Sequence, residues 1–445
     1  MNIAPLQLAR TQFTASLSFL ALFLAFSMAL AWILLFFKLR ARSGQPGWLA
    51  AYRFWVRIFA LSFVLALVSA MPVLVQLASL WPGLMDKIGN VAGPLLGFGV
   101  LSVFILKSCF LGVMLFGQRQ VSDLAHTLAV LMVAIGQVVA VGWAVSLQSW
   151  LQTPDGAAIV DGRYQVYDWV RVIFNPSFGW RMGLTVLGAM LAAAFLIMGV
   201  TALQALRRPL VGGERQAYKT ALVIALAAAL LQAPAAWGLG EVVARLQPAK
   251  AAALAGYWHS GTTPELVILG VPDTAAQRNQ SALTLSNSGG RWLAQDADAE
   301  YIGLDKFSGM SPPVAMVFLA LRALWLLGAM MFVAALFSFC LSFRRGYDPA
   351  AMPRWWLRML TGMMFAGGVS VVLGVWVAQI GLQPYIVNRT ITQSEVLSAV
   401  SASTLWWGLA GYGALYALLL SAFIGMLFHA ARYGVVPVRK IGGKS

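Results

Sequence analysis

The groups in this sequence with the means to do chemistry are few and scattered: His126, His259 and His429, and the thiols of Cys109 and Cys340. Imidazoles and thiolates hold metals when several converge at recognisable spacings. None of these five stands close to another in sequence, and three histidines are few for a metalloprotein of 445 residues. Both cysteines fall in apolar runs and read as small buried hydrophobes, not as a disulfide or a metal pair. His126 opens an apolar run and reads as a structural imidazole at a membrane face. One more group is out of place. Lys107 stands in Phe104-Ile105-Leu106-Lys107-Ser108-Cys109-Phe110, and an ammonium inside such a run either marks a site or snorkels to an interface. No metal site and no catalytic constellation is expected from these residues.

The elements that must position these groups are membrane helices. Hydrophobic residues make up 60% of the chain and charged residues 10%, too little charge to cover a soluble protein of this length. The apolar residues gather into blocks long enough to cross a bilayer as helices, and ten-residue alternating strand signals are missing. The blocks run over residues 13–37, 54–80, 91–116, 124–147, 184–206, 221–239, 313–343, 357–380 and 405–428. The fold class is therefore an all-α integral membrane protein of about nine transmembrane helices, a single membrane domain over 1–445. The first block is too long for a signal-peptide core and ends in Lys38, Arg40 and Arg42, so it reads as an uncleaved span.

The formal charge of +16 suggests nucleic acid only until its placement is read. Lys38, Arg40, Arg42 and Arg53 fall in loop 1–2, Arg207, Arg208, Arg215 and Lys219 in loop 5–6, and Arg344, Arg345, Arg354 and Arg358 in loop 7–8. The tail adds Arg432, Arg439, Lys440 and Lys444, whereas Asp155, Asp161 and Asp168 lie in an alternate loop. This is the positive-inside pattern, which puts the N-terminus outside and the C-terminus in the cytoplasm, and lipid rather than nucleic acid is the expected partner. Two segments outside the spans stand out: 148–181, aromatic and punctuated by Gly and Pro, and 240–312 between helices 6 and 7, the one stretch of soluble composition.

Several strings then match a known pattern in order and at matching span positions. They are Leu8-Ala9-Arg10-Thr11-Gln12-Phe13, Gln148-Ser149-Trp150-Leu151-Gln152-Thr153-Pro154, Gly162-Arg163, Asp168-Trp169 and Phe174-Asn175-Pro176-Ser177-Phe178. Further along come Gln247-Pro248-Ala249-Lys250, Gly303-Leu304 and Gly381-Leu382-Gln383-Pro384-Tyr385. With them the chain resembles subunit I of the cytochrome bd-type quinol oxidases over nearly its whole length. The resemblance implies a bacterial cytoplasmic (inner) membrane protein, with quinol oxidised at the outer loop 240–312 and electrons passed through heme b and heme d to oxygen. It also implies a second membrane subunit as partner.

The resemblance also shows what has changed. Its heme-ligand positions fall on Leu20, Leu184, Leu324 and Gln379. Leucine offers iron no lone pair, and a neutral amide is a poor substitute for carboxylate. The intramembrane glutamate of its proton path falls on Lys107, whose ammonium would occupy part of the former heme region near Gln379 or else reach the inner surface. Arg322, Gln383 and Pro384 are retained, as are Gln247 and Lys250 of the quinol loop. A glutamate expected at 255 is alanine, and the arginine of Gly-Arg-Gln-Pro-Trp is Leu382. The expectation is a heme-free homologue without catalytic residues, acting as a structural or assembly subunit beside a heme-bearing subunit I, subunit II or both, with quinone as a ligand it could still hold. Two alternatives stand beside it. One is a redox-active subunit with displaced ligands. The other is a transporter or a lipid- or quinone-binding protein that reuses the cavity, with Lys107 and Arg322 holding an anion.

Overall fold

Lipid offers backbone amides no hydrogen bonds, so each apolar block must close its own ladder as a helix. The computed structural model describes residues 4–44, 47–261, 265–286 and 301–433, and gives Lys107 and Ser108 in backbone only. Among the described residues, nine helices are long and apolar enough to cross a membrane: Pro5–Ala41, Trp48–Leu80, Pro82–Arg119, Asp123–Gln152, Trp169–Arg207, Gly212–Leu246, Val314–Arg345, Arg354–Ile380 and Ala402–Tyr433. They are called the first to ninth spans below. The third contains a π-helical turn at Lys107–Leu111, and the continuous helix of the fifth is Phe178–Arg207.

The helices outrun the apolar blocks because helical pairing continues beyond the hydrocarbon. The sixth span runs to Leu246 instead of stopping at 239, and the fourth carries Gln152 as its last residue. Among the described residues, three two-stranded antiparallel hairpins join the helices, at Ala157–Val160 with Arg163–Val166, Leu266–Asp273 with Arg278–Leu285, and Tyr385–Val387 with Ile391–Thr392. All three lie outside the spans. They share one end of the bundle with the long connections, here called the loop end. The basic turns 1–2, 5–6 and 7–8 and Arg432 lie at the other, basic end, while Arg439, Lys440 and Lys444 fall outside the described residues.

The core forms where the first span meets its neighbours. It packs against the second, fourth, fifth, eighth and ninth spans. Phe19 stacks on Tyr416 at 4.5 Å, and Phe23 meets Phe423 edge to face at 5.1 Å. Such offset and T-shaped pairs suit the ring quadrupole. The fifth span is the central helix toward the basic end, where every residue from 191 to 204 is buried. Small residues let the eighth span come close: a Cβ on Gly367 would stand 2.3 Å from Cα of Ala192, and one on Gly199 would stand 2.7 Å from Cβ of Met364. At the basic end buried Lys38 pairs with Asp123, which also takes Arg42 at 2.9 Å, tying the first span to the fourth.

His126 is buried as a structural imidazole, its Nε2 lying 3.2 Å from the Met114 carbonyl and its ring beside Tyr52. The two cysteines differ from expectation. Both are free and exposed, not buried. Hydropathy alone does not say which face of a span meets lipid, and these thiols lie on outward faces.

Candidate functional site

The site begins with a short helix, Pro248–Ala255, in the connection between the sixth and seventh spans. Proline opens it at a position that needs no amide donor, and Gly256 closes it with φ 77°. Its residues from Lys250 to Ala255 are all buried, so the helix sits in the loop end of the bundle like a stopper. Arg322 of the seventh span holds it there. The guanidinium lies 3.5 Å from the Phe318 ring centroid and donates to the carbonyls of Leu254, Ala255 and Val267. Those acceptors are the open carbonyls of a helix end and one strand of the 266–285 hairpin. Arg322 is thus a clamp on backbone carbonyls. The side chain of Lys107 lies outside what is described.

Under the stopper lies a buried polar hub. Gln152 Oε1 accepts from Lys250 Nζ at 2.8 Å, Gln247 Nε2 at 3.0 Å and Arg181 Nη2 at 3.3 Å. Gln152 Nε2 donates to the Ala378 carbonyl at 2.8 Å, which Lys250 also reaches at 3.3 Å. Arg181 Nε donates to Ser177 Oγ at 3.0 Å, and Thr153, Asn175 and Ser149 extend the network. Burial, and then the charge of Arg181, hold the Lys250 ammonium well below lysine's ordinary pKa. Gly381 packs on this lysine, since a Cβ there would stand 2.8 Å from Lys250 Cε.

The hub joins strings that sequence reading singled out separately, but Gln152 and Arg181 were not foreseen as site residues. The available signal was the run of polar residues closing the fourth span just before a proline, with Asn175-Pro176-Ser177 next along the chain. The retained Gln383-Pro384 forms a cis peptide bond in the turn that ends the eighth span. The Pro384 carbonyl accepts from Gln393 N at 2.9 Å, and the Gln393 side chain takes Arg10 of the N-terminal string.

Leu20, Leu184, Leu324 and Gln379 are all half-buried, on the first, fifth, seventh and eighth spans. Residues 182–188 of the fifth span are half-buried at every position, nearly two helical turns with no face fully packed. From 369 to 377 on the eighth span, too, no residue is buried. Gln379 makes no side-chain hydrogen bond among the described residues. His259 lies in the connection between the sixth and seventh spans, His429 is exposed near the basic end of the ninth span beside Tyr433, and His126 faces the Met114 carbonyl. Among the described residues no group of three His, Cys, Asp or Glu could hold a metal ion. The donor set at the four positions therefore does not fit heme iron, which needs His, Met or a comparable donor.

Two clefts open at the loop end. The larger, about 640 Å³, lies between the 157–166 hairpin and Asn388–Thr390. The smaller, about 80 Å³, is lined by Gln247, Lys250, Gly381, Leu382, Gln383 and Arg389 among others. Leu382 is buried there, at the position where the resemblance expects an arginine.

Comparison with known proteins places these features. Residues 8–435 match the family model described as cytochrome bd terminal oxidase subunit I. Cytochrome bd ubiquinol oxidase subunit 1 of Bacillus subtilis (strain 168) is 26% identical, over 96% of this chain and 93% of that protein. Cytochrome bd-II ubiquinol oxidase subunit 1 of Escherichia coli (strain K12) is 22% identical, over 96% of each. Among solved structures, bd oxidase from Geobacillus thermodenitrificans shares the fold, with a TM-score of 0.88 and 20% identity, over 97% of this chain and 99% of that one.

Proposed function

The chain belongs to the cytochrome bd terminal oxidase subunit I family, and from that premise we propose that it is a member that has given up heme and serves as a structural or assembly subunit of a bd-type respiratory oxidase complex. It is a multi-pass protein of the bacterial inner membrane. The observation that carries the reading is the donor set: Leu20, Leu184 and Leu324 have no lone pair to offer iron, and Gln379 offers a neutral amide. Removing iron removes the electron acceptor that quinol oxidation requires. Ala255, where the resemblance expects a glutamate, removes a proton acceptor from the same loop.

The rest of the chain is what a partner subunit would keep. The retained strings build the hub, the stopper helix and the turn joining Arg10 to Gln393, all of which shape the loop end. The third span packs chiefly on the fourth and presents Phe98, Leu101, Phe104 and Ile105 outward, an apolar face for lipid or for a heme-bearing subunit I or subunit II. Orientation follows the basic end: that end is cytoplasmic, and 240–312 is the outer segment of a single membrane domain over 1–445.

The test is the absorbance spectrum and pyridine hemochrome of the purified chain, with copurifying subunits identified by mass. A colourless chain accompanied by a heme-bearing subunit is expected. Stoichiometric heme on this chain alone would overturn the reading in favour of a redox-active subunit.

A further inference from the structure

We propose that the small cleft beside Lys250 is an oxyanion site that takes the phosphate head of an amphiphile, with Lys250 and Arg389 as its cationic wall and Arg181 behind them. The inference rests on the heme-free reading, because heme carries carboxylates that would compete for the same cations.

The charge count comes first. Lys250 is 4% exposed and Arg181 7%, and both converge on the single oxygen of Gln152. Neither forms an ion pair with any described carboxylate. An amide oxygen has two lone pairs, yet this one receives three donors, while the ammonium has three N–H groups and the guanidinium five. The hub therefore gathers two buried cationic side chains around neutral acceptors, with no described carboxylate paired to either. Buried charge is normally paired, and an oxyanion supplies the missing countercharge.

The geometry of the cleft agrees. Two of its lining residues, Lys250 and Arg389, are cationic and none is acidic. Arg389 is exposed, sits on the turn after the eighth span with φ 63°, and makes no hydrogen bond or ion pair among the described residues. A positive φ is uncommon for a side-chain-bearing residue, and here it holds the guanidinium at the rim of both clefts. A volume of about 80 Å³ equals two to three waters at roughly 30 Å³ each, which suits a head group and not a whole lipid. Phe307, Met310 and Leu382 give the rim an apolar side. Gln247 lines the cleft, is 3% exposed, and has no partner for its Oε1. A head bearing a hydroxyl as well as a phosphate would donate to it. That combination points to a glycerol phosphate, either as a lipid head group or free in solution.

The experiment follows thermal unfolding of the full-length purified chain by tryptophan fluorescence, with the absorbance spectrum recorded on the same sample. Phosphatidylglycerol in mixed micelles should raise the midpoint by about 3 °C over phosphatidylcholine. Lys250→Met should remove that shift, and Arg389→Gln, on an exposed turn where folding is safe, should at least halve it. Glycerol 3-phosphate reproducing the shift supports the site with the free anion as its source. No shift from either anion overturns the proposal, as does a shift that survives both variants, or one produced by decylubiquinone and by neither anion. A Soret band in the same sample overturns the heme-free reading and this inference with it. A colourless sample without a shift overturns the oxyanion site alone.

Discussion

Along the fifth span, residues 191–204 are buried on every face, whereas residues 182–188 of the same helix are half-buried on every face. Both stretches are equally apolar, so hydropathy does not separate them. What differs is the neighbours. Toward the basic end, Ala192, Gly199 and Gly367 let the eighth span close in. Toward the loop end the eighth span buries nothing from 369 to 377. The lesson is that the packed half can hold the fold while the open half changes its chemistry. On the proposed heme-free reading, leucine at a ligand position in a half-packed stretch would disturb few neighbours, and the architecture would persist without the site.

The comparison breaks most visibly at the glycine crossing. Gly367→Leu places a side chain where even a Cβ meets backbone at 2.3 Å, so the spans must part; little or no monodisperse protein should be recovered from membranes. Leu196→Ala, in the packed half, should destabilise by about 2–4 kcal/mol through the cavity it leaves, read as a lowered midpoint in thermal or denaturant unfolding. Next in size is a pH effect at the hub. Lys250 is held below lysine's ordinary value near 10.5, so between the lowered value and the ordinary one the unfolded chain binds more protons than the folded chain. Stability should therefore climb as pH rises from the lowered value to the ordinary one, level off above it, and lose that slope in Lys250→Met. The smallest effect belongs to Leu184→Ala, expected below about 1 kcal/mol because the site is already half-open. If Leu184→Ala costs as much as Leu196→Ala, the contrast between the two halves is wrong.

The nine spans were legible because lipid leaves the backbone few choices, and apolar run length reports that constraint directly. Their ends were less so: Gln152 and Leu246 lie past the apolar runs, where helix continues without a hydropathy signal. Cys109 and Cys340 were read as buried because a run of apolar residues does not reveal which face turns outward. Arg322 stood out as a cation in a span, but its carbonyl partners come from 254, 255 and 267, which only the folded chain brings to it. The hub was hidden for the same reason. Gln152, Arg181, Gln247 and Lys250 are ordinary polar residues in three separate stretches, and their meaning lies in sharing one oxygen.

The stopper helix has a consequence for how the protein is made. Residues 248–255 reach the membrane surface during synthesis before the seventh span, which carries Arg322, and well before Ala378 of the eighth. The helix cannot seat until those later residues arrive, so it waits with its alanines uncovered while more than a hundred residues are added. A chain truncated after the sixth span would keep that segment permanently unseated, open to a protease acting on the same side. The late seating of one short helix thereby turns completion of the eighth span into a checkpoint for the whole polypeptide.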